Sequence, residues 1–203
     1  MTSKIDICNL ALVEAEYDET ITNIDERSVA AERCKRLYDV CRKELLCKYP
    51  WSFATRFVNL SLIAENIEGY KYAYIYPSNA LKLSATYINE DEFRNKRLSI
   101  KQKGNERVGL YDGNKVIFSD TEKNFAEIIV DEDVEENFSN LFIRLLYLEM
   151  ALRLAKLSGA DNDYLKLLAS QILQAEQEAK GLSVYEDDNH DSIGDDYYIR
   201  VRG

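Results

Sequence analysis

The apolar residues of this chain change period twice. Before Pro50 and again after Asp133 they recur at helical spacing, whereas YKYAYIY, RLSIK and KVIF, between Tyr70 and Val130, alternate with the period of a strand. A strand-period block bracketed by helix-period blocks excludes both an all-β chain and an uninterrupted helical array. With 203 residues there is room for one good-sized core, or one domain carrying an insert. Only 8 Gly and 2 Pro accompany 46% apolar residues, so the chain reads as ordered throughout most of its length.

The first helix is predicted to start at Ser3, whose side chain forms a capping box with Asp6, and to end near Tyr17. A polar connector, DETITNIDERS, leads to a second helix over 28–48 with Cys34, Leu37, Cys41 and Leu45 on one stripe, and Pro50 stops it. Asp112-Gly113, between RVGLY and KVIF, predicts a tight hairpin. A third helix is expected after Asp133, capped by Asp133 with Glu136 and ended by left-handed Gly159, and a fourth over 162–180 ended by Gly181. The expected fold is therefore mainly α: an antiparallel helical bundle with a small antiparallel β insert and an extended C-terminal tail. Its divisions are 1–69 for the N-terminal helical pair and anchor, 70–130 for the β insert, 131–183 for the C-terminal helical pair, and 184–203 for an acidic tail.

That tail carries six acids from Glu186 to Asp196, then switches to Tyr197, Tyr198, Ile199, Arg200, Val201 and Arg202. An acidic tether ending in an alternating aromatic and basic segment reads as a docking strand, with a frayed terminus as the plain alternative. The formal net charge of -10 disfavours a nucleic-acid reader built on a basic face, though an acidic wall can surround DNA without gripping it. No window reaches the roughly 20 apolar residues of a membrane span, and acids at Asp6, Glu14 and Glu16 argue against a signal peptide. Cys8, Cys34, Cys41 and Cys47 show no disulfide framework and suit reduced thiols in a cytoplasmic fold.

Catalytic chemistry finds few candidates. The one histidine, His190, lies among Asp188, Asn189 and Asp191 and reads as a solvated side chain rather than a base. Cys34 and Cys41 are separated along one helix by about 10 Å, too far to share a zinc ion, and read as small core residues. The acids Asp131, Glu132, Asp133, Glu135 and Glu136 suit a helix N-terminus better than acid–base work. No cofactor or metal is expected, and an enzyme such as a small cell-wall hydrolase would need an acid pair in a cleft.

ICNLAL at Ile7–Leu12, then AAERCKRLYDVCRKELLCKYPWSFA at Ala30–Ala54, resembles the opening of phage head-to-tail connector proteins of the tail tubular protein A and tail accessory factor type. The likeness rests on Cys34, Tyr38, Asp39, Arg42, Pro50, Trp51, Phe53 and Ala54 in that order; YAYIYPSN then resembles a later step of that family, with Asn79 where aspartate is common. It covers roughly the first eighty residues and is architectural beyond them. The resemblance implies a non-enzymatic virion subunit at the head–tail junction, assembled in the host cytoplasm as a dodecameric ring beneath the portal protein. That ring would pass genomic DNA without specific binding and offer its far face to further tail or neck proteins. It also implies portal contact by the C-terminal segment, here Tyr197–Arg202. Tyr38, Asp39, Arg42, Trp51 and Phe53 are expected in core or ring packing. Arg42 is within reach of Asp39 on its own helix or of a neighbouring subunit. A non-viral helical adaptor is the alternative binding class.

Overall fold

The computed structural model describes residues 2–67, 69–88 and 106–199, with side chains as far as Lys180. The chain forms two compact units: a helical one of residues 1–53 and 132–203, and a β one of residues 54–131.

The helical unit contains α1 (Lys4–Glu14), α2 (Val29–Lys48), α3 (Asn140–Ser158) and α4 (Asn162–Ile199). Helix α3 is apolar around most of its circumference, burying Phe142, Leu145, Leu146, Leu148, Met150, Ala151, Leu154 and Ala155. A helix of that kind must be surrounded. It is the central one, packed against α1, α2 and α4.

The caps explain where these helices begin. Ser3 Oγ accepts from Asp6 N at 3.2 Å while the Asp6 carboxylate accepts from Ser3 N at 2.8 Å, the predicted box. Ser28 Oγ accepts from Ala31 N at 3.1 Å to start α2. The expected Asp133–Glu136 box does not form: Glu135–Asn137 makes a single 3-10 turn, and Ser139 caps α3 through Phe142 N at 3.2 Å. Gly159 ends α3 at φ 79°, left-handed as predicted. Helix α1 stops at Glu14, short of Tyr17, and the Tyr164 hydroxyl of α4 donates to the Glu14 carbonyl at 2.6 Å.

Among the described residues the β unit holds seven strands: β1 (Thr55–Asn59), β2 (Leu62–Ile67), β3 (Tyr70–Ile75), β4 (Ala80–Tyr87), β5 (Arg107–Tyr111), β6 (Asn114–Ser119) and β7 (Phe125–Val130). They form two antiparallel sheets, one ordered β1-β7-β4 and one ordered β2-β3-β6-β5. Tyr74, Tyr76 and Ile117 make one core cluster with Leu60 and Leu83 against it; Ala73, Val116 and Phe118 make another. The Asp112-Gly113 hairpin forms as predicted, with φ 47° and 75° at the two central residues and Tyr111 opposite Asn114. Both positive angles belong to the turn that matches strand twist. The expected strand in RLSIK lies outside the described residues.

The expectation of a mainly α bundle with a small β insert is overturned. Helix accounts for 47% and strand for 26%, a mixed α and β fold with two sheets. Strands β1 and β2 occupy residues assigned by sequence to the helical anchor, where short β-branched and apolar runs at Thr55–Asn59 and Leu62–Ile67 lack the length of a helix. The extended tail is also corrected, because α4 runs through Gly181 to Ile199. An interior glycine costs a helix about 1 kcal/mol relative to alanine, too little to end one whose flanks favour continuing.

Candidate functional site

The residues singled out by sequence gather where the chain leaves the helical unit after α2 and re-enters it before α3. Tyr38 and Arg42, one turn apart on α2, both face the returning segment. The Tyr38 hydroxyl donates to Glu135 Oε1 at 2.9 Å, and Arg42 Nη1 donates to the Glu132 carbonyl. Glu132 in turn folds its carboxylate onto its own loop, accepting from Val134 N and Asn137 Nδ2 at 3.2 Å each. Burial, followed by the Glu135 carboxylate, pushes the Tyr38 phenol well above its ordinary range, so it stays a donor.

Arg42 is 3% exposed. It also lies 3.7 Å from Asp39, which is 3.6 Å from Lys4, and Lys4 sits over the Tyr38 ring at 4.3 Å. Asp39 is largely exposed, so these ion pairs contribute little beside the buried bond to Glu132. Within one chain, Arg42 pairs on its own helix and also holds the returning segment.

Trp51 folds back as its position after Pro50 predicts. Its Nε1 donates to the Leu45 carbonyl at 2.8 Å, satisfying one of the carbonyls a helix end leaves without a partner. Its ring meets Phe142 edge-on at 5.1 Å, Phe53 meets Phe142 at 5.1 Å and Phe138 at 5.6 Å, and Phe138 meets Phe142 at 4.8 Å. Outgoing residues 51–53 and incoming residue Phe138 thus share one aromatic cluster seated on α3.

The ICNLAL stretch has its own construction. Ile7, Cys8, Ala11 and Leu12 are buried, and Asn9 is a clamp rather than a helix-surface residue. Its Nδ2 donates to Ile21 O at 2.9 Å and its Oδ1 accepts from Ile21 N at 2.8 Å, pinning the connector as a strand partner would. Glu26 orders the remainder, accepting from Thr22 N and Oγ1 at 3.0 Å and from Asn23 N at 3.2 Å; these bonds, the Thr22 amide first, hold its carboxyl below the usual range. Sequence reasoning missed both residues. The only signal was an amide side chain inside an apolar helical run, which nothing along the chain linked to residue 21.

Cys8, Cys34 and Cys41 are buried, and desolvation pushes the Cys41 thiol up to about 12. Among the described residues no group of three or more His, Cys, Asp or Glu is placed to hold a metal ion. A shallow groove of about 710 Å³ in the β unit is lined by Arg56, Ser78, Asn79 and Asp131 with apolar neighbours, and contains neither cysteine nor histidine. No helix of the described residues is long and apolar enough to cross a membrane.

Of the predicted docking residues, Tyr197, Tyr198 and Ile199 form the last turn of α4, and Arg200, Val201 and Arg202 lie outside the described residues. His190 lies within the same helix. No protein-family model matches the chain, and no curated protein matches it.

Proposed function

We propose that this chain is a structural subunit of the connector ring between a tailed phage's DNA-filled head and its tail. The observation that carries the reading is that the residues of its family-like opening make the contacts that hold the helical unit's connector and the segments entering and leaving it. Asn9 fixes the connector, Tyr38 and Arg42 hold the returning segment, and Trp51 with Phe53 seals the exit. A subunit that must transmit axial force benefits from fastening both ends of its β unit to the same two helices.

Charge distribution supports the DNA-passage part of the proposal. The β unit contains eleven basic and eleven acidic residues, so the entire excess of -10 belongs to the helical unit. An acidic wall lets DNA slide, because phosphates find no dense set of cations to pair with. The partners in this reading are the portal protein, further copies in a ring, and later tail or neck proteins, and the site of action is the virion's head–tail junction. The C-terminal turn of α4, Tyr197–Ile199, with the residues after it is the proposed portal contact, and that turn is helix instead of strand.

Electron microscopy of the chain mixed with the portal protein of the same virion tests the assignment. Rings of twelvefold symmetry stacked on the portal are the expected result. No association with the portal at micromolar concentration would sink it. Removing residues 186–203 should abolish that association while leaving the helical unit folded; undiminished binding would move the portal contact elsewhere.

A further inference from the structure

Among the described residues the four-stranded sheet ends in two edge strands, β2 and β5. Among the described residues β2 pairs only with β3, and β5 only with β6. Because the two-residue turn makes Tyr111 and Asn114 the hydrogen-bonded pair beside it, Val108 and Leu110 are the β5 residues whose N–H and C=O point away from β6. On the other edge Ile75 N donates to Ser61 O at 2.9 Å and Leu62 stands opposite Tyr74, so the Leu62 backbone points away from β3. The side chains here are exposed too: Leu110 by 70%, Leu62 by 48% and Val108 by 42%. Folded proteins blunt such edges with proline, lysine or bulges; the stretch Val108–Leu110 has none of these, and β2 carries one register shift, between Leu62 and Ala64.

We infer that β5 of one copy adds to β2 of the next, joining neighbouring subunits through a continuous sheet. This rests on the ring reading above and gives it a contact. The direction fits, since β2, β3, β6 and β5 alternate and a further β2 beside β5 continues the antiparallel order. The faces fit as well. Leu62 lies opposite Tyr74, Tyr74 opposite Ile117, and Ile117 opposite Val108, which puts Leu62 and Leu110 on the same face. Placing Leu110 against the next copy's Leu62 covers both leucines on that face. Contact between two different edges is head-to-tail, the kind that generates rings, whereas β5 against β5 would stop at a dimer.

The test uses the full chain with Cys47→Ser, which leaves only the three buried native thiols. In this background Leu62→Cys and Leu110→Cys are introduced singly and together, and assemblies on the portal are treated with a short bis-maleimide. The double variant should give a ladder of cross-linked oligomers, and each single variant none. A dimer from Leu110→Cys alone overturns the inference in favour of a two-fold joint. Rings that form normally but yield no ladder overturn the edge contact and leave the ring reading standing; failure of the unmodified chain to form rings overturns the ring reading itself. As a second readout, Leu110→Lys mixed with Leu62→Lys should give dimers without rings, since one good edge of each kind remains. Closed rings from either variant alone would refute the joint.

Discussion

Asn9→Ala offers the sharpest test of how the helical unit is held together. The substitution removes two hydrogen bonds to one backbone residue, at 2.9 and 2.8 Å, and leaves the N–H and C=O of Ile21 facing a gap. Ile21 is buried, so water reaches these groups poorly. Each lost bond costs about 1 kcal/mol net, and a partly desolvated orphan adds to that, giving about 2–3 kcal/mol in all. Trp51 is the chain's one tryptophan and sits buried in the helical unit, so its fluorescence during urea unfolding reports on this unit. With a urea dependence of about 1.5 kcal/mol per molar, the midpoint should fall by about 1.3–2 M. Asn9→Asp sharpens the result: it keeps the acceptor for Ile21 N but sets a carboxylate against the Ile21 carbonyl, and should be at least as damaging at pH 7. A midpoint within about 0.3 M of the parent for Asn9→Ala would refute the clamp.

Three further outcomes are expected. Gly109→Ala places a Cβ 2.9 Å from Phe118 Cε2, and that ring is buried and stacked on Tyr70 at 5.3 Å, so it cannot swing away. A cost of about 1–3 kcal/mol is expected, read as lost amide-exchange protection across β5 and β6; unchanged protection would show that the sheet gives way easily. Asp6, Asp25 and Glu26 have carboxyls held below their usual range, chiefly by the Ser3 amide, Lys35 and the Thr22 amide in turn. A depressed folded pKa stabilises above the ordinary carboxylate range and is lost as pH falls through it, so the Trp51 midpoint should decline below about pH 4, and Glu26→Gln should flatten that decline. In the native protein at pH 8, Cys47 should react first with a thiol reagent, while buried Cys8, Cys34 and Cys41 wait for denaturant; simultaneous reaction of all four would contradict the packing of α1 and α2.

Much of the fold was legible because its signals were local. Ser3 with Asp6, Pro50, Asp112-Gly113 and Gly159 each act within a few residues, and each does what its chemistry dictates. Strands β1 and β2 were lost because a run of five or six residues beside a proline stop has too little periodicity to separate from a helix anchor. Helix α4 was cut short because glycine and acids were taken as stops, and neither forbids helical geometry.

The candidate site was legible in its members but not in its wiring. Tyr38, Arg42, Trp51 and Phe53 were chosen by pattern, yet the groups that give Tyr38 and Arg42 their work, Glu135 and Glu132, stand 97 and 90 residues later in an acidic run that looked like capping charge. Capping is a local account, and it fails here because Ser139 already does that task. That stretch is instead where the buried Tyr38 phenol finds the Glu135 carboxylate and the buried Arg42 guanidinium finds the Glu132 main-chain carbonyl, and a buried donor without an acceptor costs more than a surface ion pair returns. That asymmetry argues that Arg42 and Tyr38 fix the returning segment within a single chain; on the proposed ring reading, contacts between copies fall to other surfaces, such as the β2 and β5 edges.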